Sequence, residues 1–190
     1  MGVFDHAEFD QHESLHFFHD DDTGLRAIVA VHSTALGPGA GGTRRWVYRN
    51  DADALTDVLR LSRGMTYKNA VAGLPFGGGK AVILAADRAP KTRELFEAFG
   101  QAVDSLNGRY ITAEDVGISV DDMRAVRSRT HFVSGLPQSG TNAGGDPSPW
   151  TALGVFHGIE AAVDYSNLEI RRVVIDNPEI VIEDWRARDV

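Results

Sequence analysis

Short runs of apolar residues alternate with polar, turn-forming sequences in the first part of the chain. Residues 15–18 and 25–31 are apolar runs, and the aspartate- and glycine-containing sequence at 20–24 joins them. This pattern predicts a β-hairpin. The polar residues that precede the hairpin predict a short helix. The glycine-rich segment at 37–43 predicts a loop, which a short strand at 44–48 would follow.

The spacing of apolar residues then changes to that of helices. Apolar residues recur at three- and four-residue steps from Asp51 to Lys68 and again over 95–106. Both segments are therefore predicted to be amphipathic helices. Ser119, followed three residues later by Asp122, resembles a capping box and predicts the start of a third helix.

Strands are predicted between these helices. The apolar run at 81–84 is typical of a buried strand, and shorter strands are expected just before Asp115 and at 131–133. The alternation of helices and strands predicts an α/β fold. Residues 134–149 are rich in Gly, Pro, Ser and Asn, which indicates a hinge or domain boundary, and a further helix is predicted from 148 to 163.

Composition restricts the class of protein. The chain has 190 residues, a formal net charge of −8 and no cysteine. The acidic balance argues against nucleic acid and against an anionic membrane surface, and the lack of cysteine excludes disulfides and thiolate metal sites. The N-terminus does not resemble a secretory signal, and no apolar stretch approaches the length of a membrane span. We therefore expect a soluble, cytoplasmic protein with a small-molecule partner.

Two lysines and an aspartate are the candidate acid/base groups. Lys68 and Lys80 flank the glycine-rich sequence 73–79, and Asp115 follows the predicted strand. Lys80 comes directly before an apolar run, so its side chain is expected at the mouth of a buried strand. Partial burial there would lower the pKa of the lysine and allow it to give and take protons.

Other interpretations of these residues stay open at the level of sequence. A lysine at a strand start is most often solvated, but the three preceding glycines favour close approach by a substrate. A phosphate-binding P-loop is excluded, because Leu74 and Ala81 occupy positions that need Gly and Ser or Thr. Asp115 could be an ordinary carboxylate, and the neighbouring Glu114 is an alternative to it. Lys68 could pair with an acid or, with Thr66 and Arg44, bind a carboxylate.

The sequence from His12 to His16 matches the HExxH pattern of zinc peptidases. In a helix the two histidines would lie one turn apart and could share a metal ion. His16 begins an apolar run of strand type, however, where residues four apart are too distant for a zinc site. No metal site is predicted.

Four longer strings resemble a known family. They are GGTRRW at 41–46, DADALTDVLRLSRGMTYKNAVAGLPFGGGKAVI at 51–83, GRYITAEDVG at 108–117 and GDPSPWTALGV at 145–155. In matching order, they resemble the leucine/phenylalanine/valine branch of the glutamate-type amino-acid dehydrogenases, and most of all the leucine dehydrogenases. The resemblance extends from near the N-terminus to about residue 163.

This resemblance implies a fold, a reaction and a set of site residues. It implies a three-layer α/β/α domain with a mostly parallel mixed sheet over 1–148, which binds substrate, mediates homo-oligomer formation and faces a Rossmann domain that binds NAD. The reaction would be deamination of an apolar L-amino acid to a 2-oxo acid and ammonia. The site residues that it implies are Lys68 for the substrate carboxylate, Lys80 and Asp115 for water activation and proton transfer, Gly41, Gly42, Met65 and Ala113 near the substrate, and Thr151 for the cofactor.

The chain departs from the family in two places. Ala40 stands where leucine-specific relatives tend to carry a larger apolar residue, which predicts a substrate pocket wide enough for aromatic side chains. After a linking helix at 149–165, residues 166–190 diverge, and no glycine follows Gly158 to form a dinucleotide-binding turn. We therefore expect the chain by itself to lack dehydrogenase activity. The alternative is a non-catalytic relative that binds amino or oxo acids or assembles with a longer dehydrogenase.

Overall fold

The computed structural model of the chain describes residues 2–137, 144–165, 168–176 and 179–187. These residues form two compact units that divide between residues 146 and 147. The first unit begins with a short 3-10 turn at Val3–Asp5, where a short helix was predicted. Its further elements are β1 (Ser14–Asp20), β2 (Leu25–Ser33), β3 (Gly39–Trp46), α1 (Asp51–Val71), β4 (Gly77–Leu84), α2 (Arg93–Asp104), β5 (Tyr110–Glu114) and α3 (Val120–Arg127).

The five strands of the first unit form one mixed sheet in the order β1-β2-β4-β3-β5. β1 and β2 form the predicted antiparallel hairpin, and β2 also pairs antiparallel with β4. β3 pairs parallel with both β4 and β5. Within this sheet, β2 therefore runs against the other four strands, which confirms the α/β class and a mixed sheet whose strands mostly share one direction.

Helices cover both faces of the sheet, so the domain has the expected three α/β/α layers. On one face, Ala54 and Val58 of α1 lie in an apolar cluster with Ile28, Ala30 and Val82 of the sheet. On the other face, α2 and α3 pack on the sheet through a larger cluster. Its bulkiest fully buried members are Tyr110, Phe96, Phe99, Ile83 and Met123.

The helix starts follow local side-chain chemistry. The Asn50 side chain accepts a hydrogen bond from the Asp53 amide at 2.9 Å and so begins α1. Ser119 and Asp122 form the predicted capping box of α3, since each side chain bonds to the backbone amide of the other residue.

The prediction of a loop at 37–43 is wrong for most of that segment. Residues from Gly39 onwards belong to β3, which lies between β4 and β5 in the sheet. Consecutive glycines lack the alternating side chains that identify a strand in sequence, and they are rare inside strands. Here they allow close packing: a Cβ atom at Gly42 would approach within 2.9 Å of the Asp115 Cβ.

The position of Lys80 also differs from the prediction. β4 begins at Gly77, so Lys80 lies within the strand opposite Ala30 of β2, not at its mouth. At 131–133, where a brief strand was predicted, a single bridge joins Val133 to Thr112.

The second unit contains α4 (Ser148–Tyr165), β6 (Leu168–Asp176) and β7 (Glu179–Ala187). α4 begins at the predicted residue, and β6 pairs antiparallel with β7. Parts of the predicted hinge and of the divergent tail lie outside the described residues, namely 138–143, 166–167, 177–178 and 188–190. Among the helices in the described part of the chain, none has both the length and the hydrophobicity needed to cross a bilayer.

Candidate active site

Lys80 and Asp115 form a close ion pair. The Lys80 Nζ donates to the Asp115 Oδ2 at 2.5 Å. Lys80 shares the α1 face of β4 with Val82, because residues two apart on a strand point to the same side. The lysine side chain is only 7% exposed, whereas Asp115, just past the end of β5, is 25% exposed. The pair is thus shielded on the lysine side and accessible on the aspartate side.

The environment of this pair shifts both proton affinities. Burial lowers the pKa of Lys80, and the positive charges of Arg44 and Lys68 lower it further, while Asp115 opposes them. For Asp115, burial raises the pKa, but the attraction of Lys80 outweighs it and the pKa is lowered on balance. A lysine that releases its proton more readily than usual, next to a carboxylate, is suited to acid/base chemistry.

The neighbouring Glu114 lies in a different environment. Burial raises the pKa of its carboxyl, and the carboxylate of Asp146 raises it further. Of the two adjacent acids, Asp115 is therefore the one that pairs with Lys80.

Arg44 lies next to the ion pair, and its guanidinium is held by Asp57 of α1. Its Nη1 donates to the Asp57 Oδ2 of α1 at 3.0 Å, and the Tyr48 hydroxyl donates to the same oxygen at 2.6 Å. The Arg44 Nε lies 3.5 Å from the Asp115 Oδ2. Sequence reasoning missed this arrangement, because Asp57 reads as an ordinary polar position on an amphipathic helix.

Lys68 lies near the end of α1 and is exposed. Its ammonium has no hydrogen-bond or ion-pair partner among the residues that the structure describes. Its positive charge contributes to the lowered pKa of Lys80, and its neighbour Asn69 donates to the carbonyl of Gly77 on β4, the strand that carries Lys80. The Thr66 hydroxyl is hydrogen-bonded to His32 Nδ1 at 2.8 Å, and Arg44 Nη1 donates to the Asp57 Oδ2 at 3.0 Å. A shared carboxylate site of Lys68, Thr66 and Arg44 stays a prediction.

The glycines around Lys80 serve packing. A Cβ atom at Gly78 would collide with the Thr66 backbone nitrogen and the Ser62 carbonyl oxygen of α1. At Gly79 it would come within 2.6 Å of the Tyr110 ring, and at Gly77 it would overlap the Ser33 carbonyl. These contacts correct the interpretation that the three glycines admit a substrate to the backbone.

The other predicted residues divide between the two units. Ala40, Gly41 and Gly42 lie in β3, and Met65 lies in α1, where a Cβ atom at Gly41 would come within 2.9 Å of the Met65 Cγ. Ala113 lies opposite Gly42 in β5. Thr151 lies in the second unit, in the first turn of α4.

Asn69 is a further residue that sequence reasoning missed. It is buried in α1, and its Nδ2 donates to the Gly77 carbonyl at 2.6 Å and to the Ala40 carbonyl at 3.3 Å. Asn69 therefore fixes the position of α1 and, with it, of Lys68 relative to β3 and β4. The available signal was a polar amide at a core-facing position of a helix.

The two histidines of the HExxH pattern do not share a site. His12 is buried, and its Nε2 lies 3.0 Å from the Leu59 carbonyl and 3.1 Å from the Ser62 hydroxyl of α1, whereas His16 lies in β1. Burial lowers the pKa of His12. In the ranges 2–137 and 144–165, no three His, Cys, Asp or Glu side chains are grouped as a metal site requires.

Comparison with known proteins places this arrangement in a family. Residues 12–132 match the family described as Glu/Leu/Phe/Val dehydrogenase, dimerisation domain. The chain is 52% identical over 163 residues to leucine dehydrogenase of Bacillus subtilis (strain 168), which covers 85% of this chain and 44% of that protein. It is 48% identical over 165 residues to phenylalanine dehydrogenase of Caldalkalibacillus thermarum, covering 87% and 44%.

A solved structure gives the same result. The crystal structure of L-tryptophan dehydrogenase from Nostoc punctiforme matches with a TM-score of 0.65 and 49% identity, over 81% of this chain and 42% of that one. The fold and the sequence thus define an N-terminal α/β domain of the amino-acid dehydrogenase type. The chain belongs to the Glu/Leu/Phe/Val dehydrogenase family, and it spans less than half the length of the relatives it matches.

Proposed function

We propose that this chain provides the substrate side of an amino-acid dehydrogenase active site, which binds an apolar L-amino acid and its 2-oxo acid. One observation carries the proposal: the Lys80–Asp115 pair lies on β4 and at the end of β5, and the α1 segment that carries Lys68 contacts β4 through Asn69. The Lys68 ammonium is exposed and has no hydrogen-bond or ion-pair partner among the described residues. A fixed positive charge beside a proton-exchanging pair suits a substrate that has a carboxylate next to the reacting carbon.

Each group has a distinct role in this proposal. Lys68 binds the substrate carboxylate. When the amino acid has been oxidised to the imine, neutral Lys80 takes a proton from water as the water oxygen bonds to the imine carbon. Asp115 holds the resulting ammonium in place. Lys80 returns this proton to the nitrogen and then takes the proton of the new hydroxyl group as the carbon–nitrogen bond breaks, which releases ammonia and the 2-oxo acid.

The proposed substrate has a branched-chain or aromatic side chain. Ala40 lies on β3 beside Gly41, and its carbonyl accepts a hydrogen bond from Asn69 of α1. The methyl side chain of Ala40 leaves more room for a substrate than a larger residue would. Relatives that act on leucine, phenylalanine and tryptophan support this range. The small residues Gly42 and Ala113 on adjacent strands belong to the same proposed pocket.

Oxidation of the amino acid requires a hydride acceptor, for which we propose NAD. The described residues do not fit a dinucleotide site, because β6 and β7 pair antiparallel instead of forming a βαβ unit, and no glycine follows Gly158. Thr151 remains a predicted cofactor contact. We therefore infer that 1–148 form the substrate domain, 149–165 a linking helix and 166–190 a divergent tail, and that this chain by itself does not catalyse hydride transfer.

The assembly is proposed to be a homo-oligomer. The family match is to a dimerisation domain, and β1 lies at the edge of the sheet with Phe17 61% exposed. An edge strand with an exposed aromatic residue is suited to pairing with a second chain.

Calorimetry with 4-methyl-2-oxopentanoate and phenylpyruvate tests the binding role. We expect saturable binding by the purified chain and a loss of roughly tenfold or more in affinity for Lys68→Ala, since a charge-assisted hydrogen bond is removed. Lys91→Ala is the matched control, because Lys91 pairs with Asp122 on the other face. Absence of binding by the wild-type chain, or equal effects of both substitutions, would refute the proposal.

A non-catalytic role is the second candidate. The antiparallel β6–β7 hairpin, where a dinucleotide-binding unit would be expected, favours it. In this case the chain would bind the same acids or assemble with a longer dehydrogenase. Both candidates predict no NADH formation when the purified chain is incubated with NAD and leucine or phenylalanine, and steady NADH formation would exclude the non-catalytic role together with the inferred inactivity of the chain by itself. Co-purification with a longer dehydrogenase subunit would favour the non-catalytic role.

A further inference from the structure

Arg44 has an unused donor next to the acid/base pair. Its Nε is buried and has no hydrogen-bond partner in the described part of the chain, although it lies only 3.5 Å from the Asp115 Oδ2. The same oxygen accepts the Lys80 hydrogen bond at 2.5 Å. A buried N–H group without a partner is unfavourable, so its persistence next to a reactive carboxylate calls for a reason.

The guanidinium cannot turn away from this position. Asp57 accepts hydrogen bonds from Arg44 Nη1 and from the Tyr48 hydroxyl, which fixes the far end of the side chain against α1. Arg44 and Asp57 are each 26% exposed at the side chain, so water screens this contact only in part. Burial and the hydrogen bond to Asp57 raise the pKa of Tyr48, which keeps its hydroxyl as a donor.

We propose that Arg44 is a positioning residue that takes over the Asp115 carboxylate whenever Lys80 is neutral, with Asp57 and Tyr48 holding the guanidinium ready. An arginine side chain stays protonated, whereas Lys80 must lose its proton in the acid/base cycle. A carboxylate shift of less than about 1 Å would bring Oδ2 within hydrogen-bond distance of Nε. Asp115 would then never be a half-buried charge without a partner.

This inference rests on the proposed function, since it assigns a use to a neutral Lys80. The charged groups that shift the pKa of Lys80 are Asp115, Arg44 and Lys68. Arg44 in turn forms an ion pair with Asp57. Because Arg44 stabilises Asp115 most when Lys80 is neutral, it favours the neutral lysine. Removing the guanidinium is therefore expected to raise the pH at which Lys80 loses its proton.

The first test uses the wild-type chain and needs no activity. The ¹H–¹⁵N resonance of the Arg44 Nε–H is followed with pH and identified by its loss in Arg44→Gln. We expect it to move downfield with the same midpoint as the rate of Lys80 acetylation by trace acetic anhydride, read by mass spectrometry. An Arg44 resonance that does not change through the Lys80 titration would overturn the inference.

The second test measures the acetylation midpoint in Arg44→Gln, which removes the guanidinium charge and keeps a polar side chain. We expect a midpoint at higher pH and roughly threefold to tenfold slower labelling of Lys80 at pH 8. Arg49→Gln is the matched control: Arg49 is 87% exposed and pairs with Asp53, so the Lys80 midpoint should not move. A midpoint unchanged in folded Arg44→Gln refutes the inference, and if that variant does not fold, the wild-type titration decides.

Calorimetry with 4-methyl-2-oxopentanoate on the same samples separates the two proposals. A chain that binds no 2-oxo acid but shows the coupled titration would refute the proposed function and leave the role of Arg44 intact. A chain that binds the 2-oxo acid, but whose Arg44 resonance does not follow the Lys80 titration, would refute the role of Arg44 and leave the proposed function intact.

Discussion

The two faces of the sheet differ in what they bury. The face under α2 and α3 is covered by large apolar side chains that include Phe96, Phe99 and Met123. The face under α1 has a smaller apolar cluster of Ile28, Ala30, Ala54, Val58 and Val82. Around that smaller cluster lie buried or partly buried polar side chains, namely His12, Arg44, Asp57, Ser62, Asn69 and Lys80.

The side chains that contribute most apolar burial and the candidate site residues therefore lie on opposite faces of one sheet. Burial of charges such as Lys80 is unfavourable and must be offset by apolar burial elsewhere. α1 is held instead by close backbone contact at Gly78 and by the Asn69 hydrogen bonds. The α1 face can therefore carry reactive groups because the α2/α3 face supplies most of the apolar burial.

The largest expected effect is on the α2/α3 face. Phe99→Ala should lower the free energy of unfolding by about 3–5 kcal/mol, because Phe99 is fully buried and its removal leaves a cavity. Val58→Ala on the α1 face removes a smaller side chain and should lower it by about 2 kcal/mol. Urea unfolding followed by circular dichroism measures both. Equal losses would mean that the two faces contribute alike to stability.

A smaller loss is expected where α1 touches the sheet. Gly78→Ala should lower the free energy of unfolding by at least about 2 kcal/mol and weaken binding of 2-oxo acids, because the new methyl group would push α1 from β4. Gly64→Ala is the matched control within α1.

A Cβ atom at Gly64 meets open space, so this control should stabilise the chain by about 0.5–1 kcal/mol. The contact between α1 and β4 would be looser than described if Gly78→Ala were also stabilising. Urea unfolding of the two variants side by side gives the answer.

The smallest effect depends on pH and concerns the ion pair. Asp115→Asn should lower the free energy of unfolding by about 1–2 kcal/mol at pH 7. Burial raises the pKa of Asp115, but Lys80 lowers it on balance below the reference value of 3.8. The stabilising contribution is therefore fully present above pH 3.8 and is lost as the pH falls through the lower folded-state value.

The gap between wild type and Asp115→Asn should consequently narrow as the pH is lowered from 5 to below 3, as measured by thermal unfolding. Asp121→Asn is the control, since Asp121 is 84% exposed and pairs with Arg124 at the surface. A gap of constant size across this range would mean that the charge of Asp115 does not stabilise the fold.

The hairpin, the three helices of the first unit, the start of α4 and the family could all be predicted from the sequence. These features depend on local patterns: apolar periodicity, a capping box and turn residues act through neighbours in the chain. The candidate residues Lys68, Lys80 and Asp115 were also named from sequence, because lysines beside glycine-rich and apolar runs are conspicuous.

Other features, namely the glycine-rich strand and the contacts around Arg44, became apparent only from the tertiary structure. Glycines carry no periodic signal, so the strand identity of Gly39 and its neighbours, and the packing role of Gly78, follow from what α1, β4 and β5 place beside them. The link from Tyr48 and Asp57 through Arg44 to Asp115 joins a strand, a helix and a strand end. Such contacts depend on distances between segments far apart in the chain, and only the folded sheet with its covering helix fixes those distances.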